Sequence, residues 1–195
     1  MGICETTNRA AVVDAIVRDV RSRGNALTAG DVGYRYLLRA LADEGRSDVI
    51  FDINNQTNKP GYGMQLAKGK TSLTEAWDGG SSQNHFMLGQ IQEWFYHDLA
   101  GIQSGGNGFK KIIIAPQPVG DVTWAKASYE SIRGKIISDW KRDGEKFALK
   151  ISIPANTTAE VFVPAKSADA VKQNPRATFL RMENKCAVFE TANRH

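Results

Sequence analysis

A carboxylate, a tryptophan and a histidine lie close together in one stretch of the sequence. Residues 71–78 read TSLTEAWD, which places Glu75 two residues before Trp77, and the dipeptide Asn84-His85 follows shortly after. Aromatic faces stack on the CH groups of pyranose rings, and a carboxylate binds sugar hydroxyls or takes a proton from water. These residue types are therefore typical of a site that binds or hydrolyses a sugar.

Each of these residues also has a purely structural interpretation. Ser72 and Glu75 have the spacing of a capping box, in which Glu75 would bond only to the backbone at the start of a helix. His85 fits a helix start with a local hydrogen bond, and Trp77 fits a hydrophobic core. Spacing alone favours the capping role for Glu75, so the residues by themselves leave the sugar site as an open alternative.

Other catalytic classes lack their motifs. The glycines of residues 105–108 are not followed by Lys and Ser or Thr, which excludes a phosphate-binding loop, and no Gly-x-Ser-x-Gly elbow occurs. The two cysteines, Cys4 and Cys186, lie at opposite ends of the chain, and a disulfide between them has no further support. Because no metal-ligand spacing appears, we expect neither a metal nor a cofactor.

The composition is that of an ordinary globular protein of 195 residues, with 42% hydrophobic and 24% charged residues. No run of about 18 apolar residues occurs, so no membrane insertion is predicted. Residues 1–10 lack the basic and apolar segments of a secretory signal. The second half is basic, but its charges are dispersed among acidic residues, which predicts a solvated surface and no nucleic-acid binding.

Hydrophobic periodicity predicts four helices in the first half of the chain. They are expected over residues 6–23, from Asp31 as N-cap to about Gly45, from Ser47 onward, and over residues 83–100. Residues 58–82 contain several helix breakers and predict an extended loop. Loops of this length without secondary structure are usually functional.

The apolar period changes to that of β-strands after residue 108. Apolar residues alternate over residues 147–153, and Asp143-Gly144 predicts a hairpin turn before them. Further strands are predicted over residues 111–115, 159–164, 178–183 and 186–190. We therefore expect a helical domain of residues 1–102, a glycine-rich linker of residues 103–108, and an antiparallel β-sandwich or jelly roll of residues 109–195.

Both halves of the sequence resemble one known family. The segments GNALTAGDVGYRYLLRAL, GYGMQLAKGKTSLTEAWDG and NHFMLGQIQEWFYHDLAGI resemble the end of the catalytic domain of bacterial α-L-rhamnosidases, glycoside hydrolase family 78. The segments FKKIIIAPQPVGDVTWAKASYESIRGKIISDWKR, IPANTTAEVFVPA and FLRMENKCAVFE resemble the C-terminal β-domain of that family. The resemblance covers nearly the whole chain in the family's order.

The resemblance implies a fold and an activity. The family's catalytic domain is an (α/α)6 barrel of twelve helices, followed by a jelly-roll-like β-sandwich, and this chain would hold about the last four helices and the β-domain. These enzymes hydrolyse terminal α-L-rhamnosides with inversion. One carboxylic acid protonates the leaving oxygen, and a carboxylate roughly 6.5 to 9.5 Å away activates water on the opposite face.

The resemblance also implies roles for individual residues. The family's general base is the glutamate of a T-x-x-E-x-W stretch, which here has Ser72 in place of the threonine and assigns the role to Glu75. The histidine of the Asn-His pair contacts rhamnose, which assigns that role to His85, and Trp77 becomes a wall of the sugar site. The segment between Glu75 and His85 is shorter here than in many members, which bears on leaving-group specificity.

The family's general acid lies in barrel helices that this chain does not contain. We therefore expect a C-terminal piece that takes rhamnose-containing glycosides by lineage but is inactive in isolation. Apolar helix faces left exposed would favour self-association or docking onto the missing N-terminal part. The competing hypothesis is a non-catalytic carbohydrate-binding or structural module.

Overall fold

The computed structural model describes residues 5–172 and 174–193 of the chain. The chain divides into two compact units, the first ending at Trp94 and the second beginning at Phe95. The first unit is helical, and the second consists mainly of β-strands. The predicted order of a helical part followed by a β-domain is confirmed.

The described part of the first unit, from residue 5 onward, contains five α-helices and two short 3-10 turns. The helices are α1 Arg9–Ser22, α2 Asp31–Asp43, α3 Ser47–Asn55, α4 Tyr62–Ala67 and α5 Ile91–Trp94, and the 3-10 turns are Thr6–Asn8 and Phe86–Gln90. The apolar positions that predicted α1, α2 and α3 are buried or partly buried in this unit. They include Val13, Val20, Tyr34, Leu38, Leu41, Val49, Ile50 and Ile53.

Three local predictions for the helical unit are wrong. The expected loop of residues 58–82 contains α4, and the expected continuous helix of residues 83–100 is a 3-10 turn, then α5, then a π-helical turn at Phe95–Leu99. Asp31 is the first residue of α2 rather than its cap, because Gly30 occupies the cap position. Asp31 Oδ1 accepts the N–H of Val32 at 2.9 Å, and Oδ2 is left for a partner outside the helix.

In the second unit, the residues described up to 193 form eight strands in two sheets. They are β1 Ile102–Ser104, β2 Lys111–Ile114, β3 Trp124–Ser131, β4 Gly134–Asp143, β5 Lys146–Ser152, β6 Thr157–Pro164, β7 Ala177–Glu183 and β8 Cys186–Asn193. One sheet has the order β1-β2-β6-β8-β7 and the other the order β3-β4-β5. All pairs are antiparallel except β2 with β6, which is parallel and departs from the antiparallel prediction.

The core of the second unit lies between its two sheets. Ile112 and Ile114 of β2 and Val161 of β6 pack in one cluster with Ile136 of β4, which belongs to the other sheet. Trp140 of β4 is fully buried. A core formed by the inner faces of two sheets is the pattern of a β-sandwich.

Residues just after the division between the units are bound to the β-strands. Ser138 donates to the Ala100 carbonyl at 2.7 Å and Trp140 Nε1 donates to the Leu99 carbonyl at 2.8 Å. Residues 103–108, predicted as a linker, lie partly in β1 and partly in the 3-10 turn Asn107–Phe109. The second unit therefore begins earlier in the chain than the change in composition.

Gly101 follows these residues in a conformation that only glycine adopts easily. Its φ is +80°, and a Cβ there would lie 2.2 Å from the Pro116 nitrogen. The Gly101 carbonyl accepts the Ala115 N–H at 2.9 Å, which pairs the chain entering β1 with the chain leaving β2. This close backbone approach accounts for the glycine.

Candidate functional site

The predicted site residues lie on one loop whose two ends pair through the backbone. We define the site loop as residues 73–85. The Glu75 N–H donates to the Ser82 carbonyl at 2.9 Å, and the His85 N–H donates to the Leu73 carbonyl at 2.9 Å. Two such bonds hold the outgoing and returning segments side by side, so Glu75 and His85 lie on paired segments rather than at unrelated positions.

Glu75 is exposed and only half of its carboxylate is engaged. Its Oε2 accepts the Ser82 N–H at 3.2 Å, whereas Oε1 accepts no hydrogen bond from the described residues. Residues 72–75 lie outside every helix in the described part of the chain. The capping-box interpretation of Ser72 and Glu75 is therefore wrong, and the free oxygen of Glu75 faces solvent.

His85 is held by a carboxylate that is distant in sequence. Its Nε2 lies 3.0 Å from Oδ2 of Asp31 at the start of α2, and its side chain is 23% exposed. The hydrogen bond from His85 lowers the pKa of the Asp31 carboxyl, and the hydrogen bond from the Val32 N–H lowers it further. An ionised Asp31 that accepts from Nε2–H fixes the ring and leaves Nδ1 to other partners.

Sequence reasoning did not identify Asp31 as a site residue. It singled out Asp31 only for the start of a helix, and the 54 positions that separate it from His85 exclude any local motif. The backbone carbonyl of Asp31 also accepts from Gln90 Nε2 at 3.1 Å. Asp31 therefore connects the start of α2 with the chain that follows the site loop.

We expect the Asp31 carboxyl to titrate below its ordinary value of 3.8, and His85→Ala to move its midpoint upward. Because the folded pKa is depressed, the pair stabilises the fold above that ordinary value, and the contribution is lost as pH falls through the folded pKa. Carboxyl carbon shifts measured by NMR against pH test this. Asp48 serves as control, because Arg46 lowers its pKa and His85→Ala should leave it unchanged. An unmoved Asp31 midpoint would contradict the pairing.

Trp77 supports the site loop from below. Only 8% of its surface is exposed, and its Nε1–H donates to the Ala29 carbonyl at 2.7 Å. Its ring makes T-shaped contacts with Tyr34 and Tyr62, at centroid distances of 4.9 and 5.0 Å. The predicted wall of the sugar site thus lies in an aromatic cluster, where it offers a ligand little surface.

The short helix α4 binds the same loop through its backbone. Gln65 is buried, and its Nε2 donates to the carbonyls of Ala76 and Trp77 at 3.2 Å each. The Gly61 N–H donates to the Trp77 carbonyl at 3.2 Å. These bonds hold the backbone just after Glu75, so the element that the sequence failed to predict is one that positions the site.

Tyr34 joins the aromatic cluster to α3. Its hydroxyl donates to Asn54 Oδ1 at 2.8 Å, and Asn54 donates in turn to the Ile50 carbonyl at 2.7 Å. Burial raises the pKa of both Tyr34 and Tyr62. Both phenols therefore stay neutral at physiological pH and act as packing groups with a polar end.

The described residues contain no group of three or more His, Cys, Asp or Glu side chains arranged to hold a metal ion. No helix in that part of the chain is long and apolar enough to cross a membrane. Cys186 is half-buried, and burial raises the pKa of its thiol. Its suggested disulfide partner Cys4 lies outside the described residues.

Comparison with known proteins gives one consistent family. The pattern of the bacterial α-L-rhamnosidase 6 hairpin glycosidase domain matches residues 1–99, and that of the bacterial α-L-rhamnosidase C-terminal domain matches residues 101–178. An α-L-rhamnosidase of Streptomyces avermitilis is 36% identical over 99% of this chain. One from Formosa agariphila is 27% identical over 85% of it.

Solved structures agree in fold. The crystal structure of the Streptomyces avermitilis α-L-rhamnosidase complexed with L-rhamnose matches 97% of this chain with a TM-score of 0.90. The α-L-rhamnosidase from Dictyoglumus thermophilum matches 91% of it with a TM-score of 0.76 and 30% identity. The chain spans about a fifth of the length of its curated relatives, covering 20% of the Streptomyces protein and 19% of the Formosa protein.

Proposed function

The chain belongs to the bacterial α-L-rhamnosidase family, and we propose that it supplies the general base, Glu75, to the inverting hydrolysis of terminal α-L-rhamnosides. The observation that carries the proposal is the half-engaged carboxylate of Glu75. One oxygen is anchored to the Ser82 N–H and the other is open to solvent. A general base needs this combination, because it must be held in position and must still reach a water molecule.

His85 is proposed to contact the sugar. Asp31 holds its Nε2, and Nδ1 makes no hydrogen bond within the described residues, so Nδ1 is the ring atom left for a sugar hydroxyl. The backbone bond between His85 and Leu73 sets this ring near the neck of the loop that carries Glu75. The base and the sugar contact would then move together as one preorganised unit.

Trp77 is proposed to act mainly through the loop rather than as an open wall. Its buried ring and its bond to Ala29 fix the backbone two residues after Glu75. A base that activates water in an inverting reaction must keep a set distance from the acid across the sugar. Rigid support beneath the loop serves that requirement.

The general acid is proposed to come from residues outside this chain. The chain corresponds to about a fifth of the length of its relatives, and the family resemblance implies that the acid lies in earlier barrel helices. Without an acid, the leaving group is not protonated, which typically costs about 10² to 10⁴ in rate. We therefore expect the 195-residue chain to be inactive in isolation.

The remaining barrel helices are proposed to cover an exposed apolar face of the helical unit. Val32 and Tyr36 lie one turn apart on α2 and are both exposed. Phe86, next to His85, is 82% exposed. Exposed apolar side chains of this size suit packing against further helices, or against a second copy when those helices are absent.

Assays of two proteins with an aryl α-L-rhamnoside as substrate test the proposal. The first is the chain alone, which should release no aryl alcohol above background. The second is a hybrid enzyme in which this chain replaces the matching part of the Streptomyces avermitilis α-L-rhamnosidase, and it should hydrolyse the substrate. Activity of the chain alone that disappears in Glu75→Gln would overturn the proposal that the general acid lies outside this chain. A folded hybrid without activity would overturn the proposed function.

A further inference from the structure

The second unit carries a depression that is unrelated to the site loop. It has a volume of about 410 Å³ and lies where β3, β4 and β5 meet the hairpin turn, with Trp124, Lys141, Asp143, Lys146 and Phe147 in its lining. Its volume falls within the range of about 300 to 1,000 Å³ that is usual for small-molecule sites. The depression is therefore large enough for one or two sugar rings.

An indole lies open at this depression. Trp124 is 62% exposed, although it stands in the first position of β3, where it pairs with Lys141 of β4. Lys141 in turn pairs with Ala148 of β5, so a small side chain lies beyond the lysine. The cross-strand neighbours leave the indole uncovered and place an ammonium group beside it.

Three charged side chains that line the depression form no bonds within the described part of the fold. Within residues 5–172 and 174–193, Lys141, Lys146 and Asp143 have no ion-pair or hydrogen-bond partner for their side chains. Two ammonium groups and one carboxylate therefore remain available to a ligand. Their balance is positive, so an anionic group on that ligand would be favoured.

The backbone around the depression is fixed in advance. Arg142 Nη2 donates to the carbonyls of Gly120 and Val122 at 2.7 and 2.9 Å, and the Arg142 N–H donates to the Thr123 carbonyl at 2.7 Å. On the inner side, Phe147 packs against the buried Trp140 with ring centroids 5.7 Å apart. These contacts fix the segment that carries Trp124, so little ordering is needed on binding.

We propose that this depression binds a pyranose ring of an acidic saccharide. The ring stacks on Trp124, its hydroxyls bond to Asp143, and a uronate carboxylate pairs with Lys141 and Lys146. A flat apolar face with unpaired polar groups at its margin is the arrangement that a sugar requires, because a sugar presents CH groups on one face and hydroxyls around the ring. This inference does not depend on the rhamnosidase proposal, because the two concern different units.

Titration of the full chain with methyl glucuronide and with methyl glucoside, followed through tryptophan indole resonances, tests the proposal. The Trp124 indole signal should shift with both sugars, and the glucuronide should bind more tightly. Trp124→Ala should weaken glucuronide binding by about tenfold or more, since one lost stacking contact of about 1.4 kcal/mol is a factor of ten. Lys141→Gln should reduce the affinity for the glucuronide to that for the glucoside.

Matched variants separate this site from general effects. Tyr129→Ala removes another exposed aromatic residue of β3, and Lys135→Gln removes another lysine of β4, and neither should change binding. Glu75→Gln should also leave it unchanged, which distinguishes this site from the site loop. Absence of any Trp124 shift at millimolar sugar would overturn the proposal, as would equal losses in Trp124→Ala and Tyr129→Ala. Equal affinity for both sugars would overturn the proposed preference for a saccharide that carries a carboxylate.

Discussion

Glu75→Gln in the hybrid enzyme is expected to lower kcat by about 10² to 10⁴, the usual contribution of a general base. The amide has the shape of the carboxylate, and its oxygen still accepts the Ser82 N–H that anchors Glu75 at 3.2 Å. What the substitution removes is the ability to take a proton from water. The loss should therefore fall on kcat, with KM changed little.

Asp78→Asn provides the control for this prediction. Asp78 is an exposed carboxylate of the same site loop, and its Oδ1 accepts the Gly80 N–H at 2.8 Å, a bond that asparagine retains. This variant should keep nearly full activity, because Asp78 stabilises a turn and takes no part in proton transfer. Equal losses in the two variants would attribute the effect to loop charge, and full activity of Glu75→Gln would remove Glu75 from the mechanism.

Trp77→Ala is expected to destabilise the helical unit by about 3 to 5 kcal/mol, the usual cost of deleting a buried aromatic side chain from a core. The substitution removes ring contacts with Tyr34 and Tyr62 and leaves the Ala29 carbonyl without its N–H donor. Urea unfolding followed by helical circular dichroism measures the change. The signal of the helices separates this unit from the β-strands of the second unit.

Two further variants separate the contributions to the stability loss expected for Trp77→Ala. Trp77→Phe keeps an aromatic ring but loses the N–H bond to Ala29, so it should cost about 1 to 3 kcal/mol, the price of an unsatisfied buried acceptor plus a smaller ring. Trp124→Ala removes an exposed tryptophan of the other unit and should leave helical stability unchanged. Full stability of Trp77→Ala would contradict the supporting role of Trp77.

Local patterns in the sequence were sufficient for most of the β-domain. Gly144 and Glu145 form the turn between β4 and β5, one position after the predicted Asp143-Gly144, and residues 147–152 of the alternating run lie in β5. Asn184 and Lys185 both adopt positive φ and connect β7 to β8, between the strands predicted over residues 178–183 and 186–190. Strand β3 was missed because its exposed positions alternate with small residues such as Ala125 and Ala127, which give a weak apolar period.

The missed helix α4 shows where propensity fails. Residues near Gly61 and Gly63 indicate a loop, since glycine disfavours helix interiors. Gly63 is nonetheless helical, and a Cβ there would lie 2.4 Å from the Gln56 carbonyl oxygen, so the position accepts only glycine. Close packing dictates this glycine, and the packing partner is not visible in a local pattern.

The candidate site was predictable in its types of residue but not in its contacts. Glu75 and His85 were identified through the family motif, whereas the Asp31–His85 pair depends on a fold that brings α2 to the site loop. Trp77 could equally have been core or wall by sequence, and its burial was decided by Tyr34 and Tyr62. Contacts between distant segments require the structure.

The configuration of the first sugar released by the hybrid enzyme tests the central claim most directly. Proton NMR during the first turnovers distinguishes the two anomers before they equilibrate. If Glu75 activates water on the face opposite the leaving group, the first product is β-L-rhamnose, and this signal disappears in Glu75→Gln. Initial release of α-L-rhamnose would mean that a carboxylate attacks the sugar directly, which would contradict the role of Glu75 as general base.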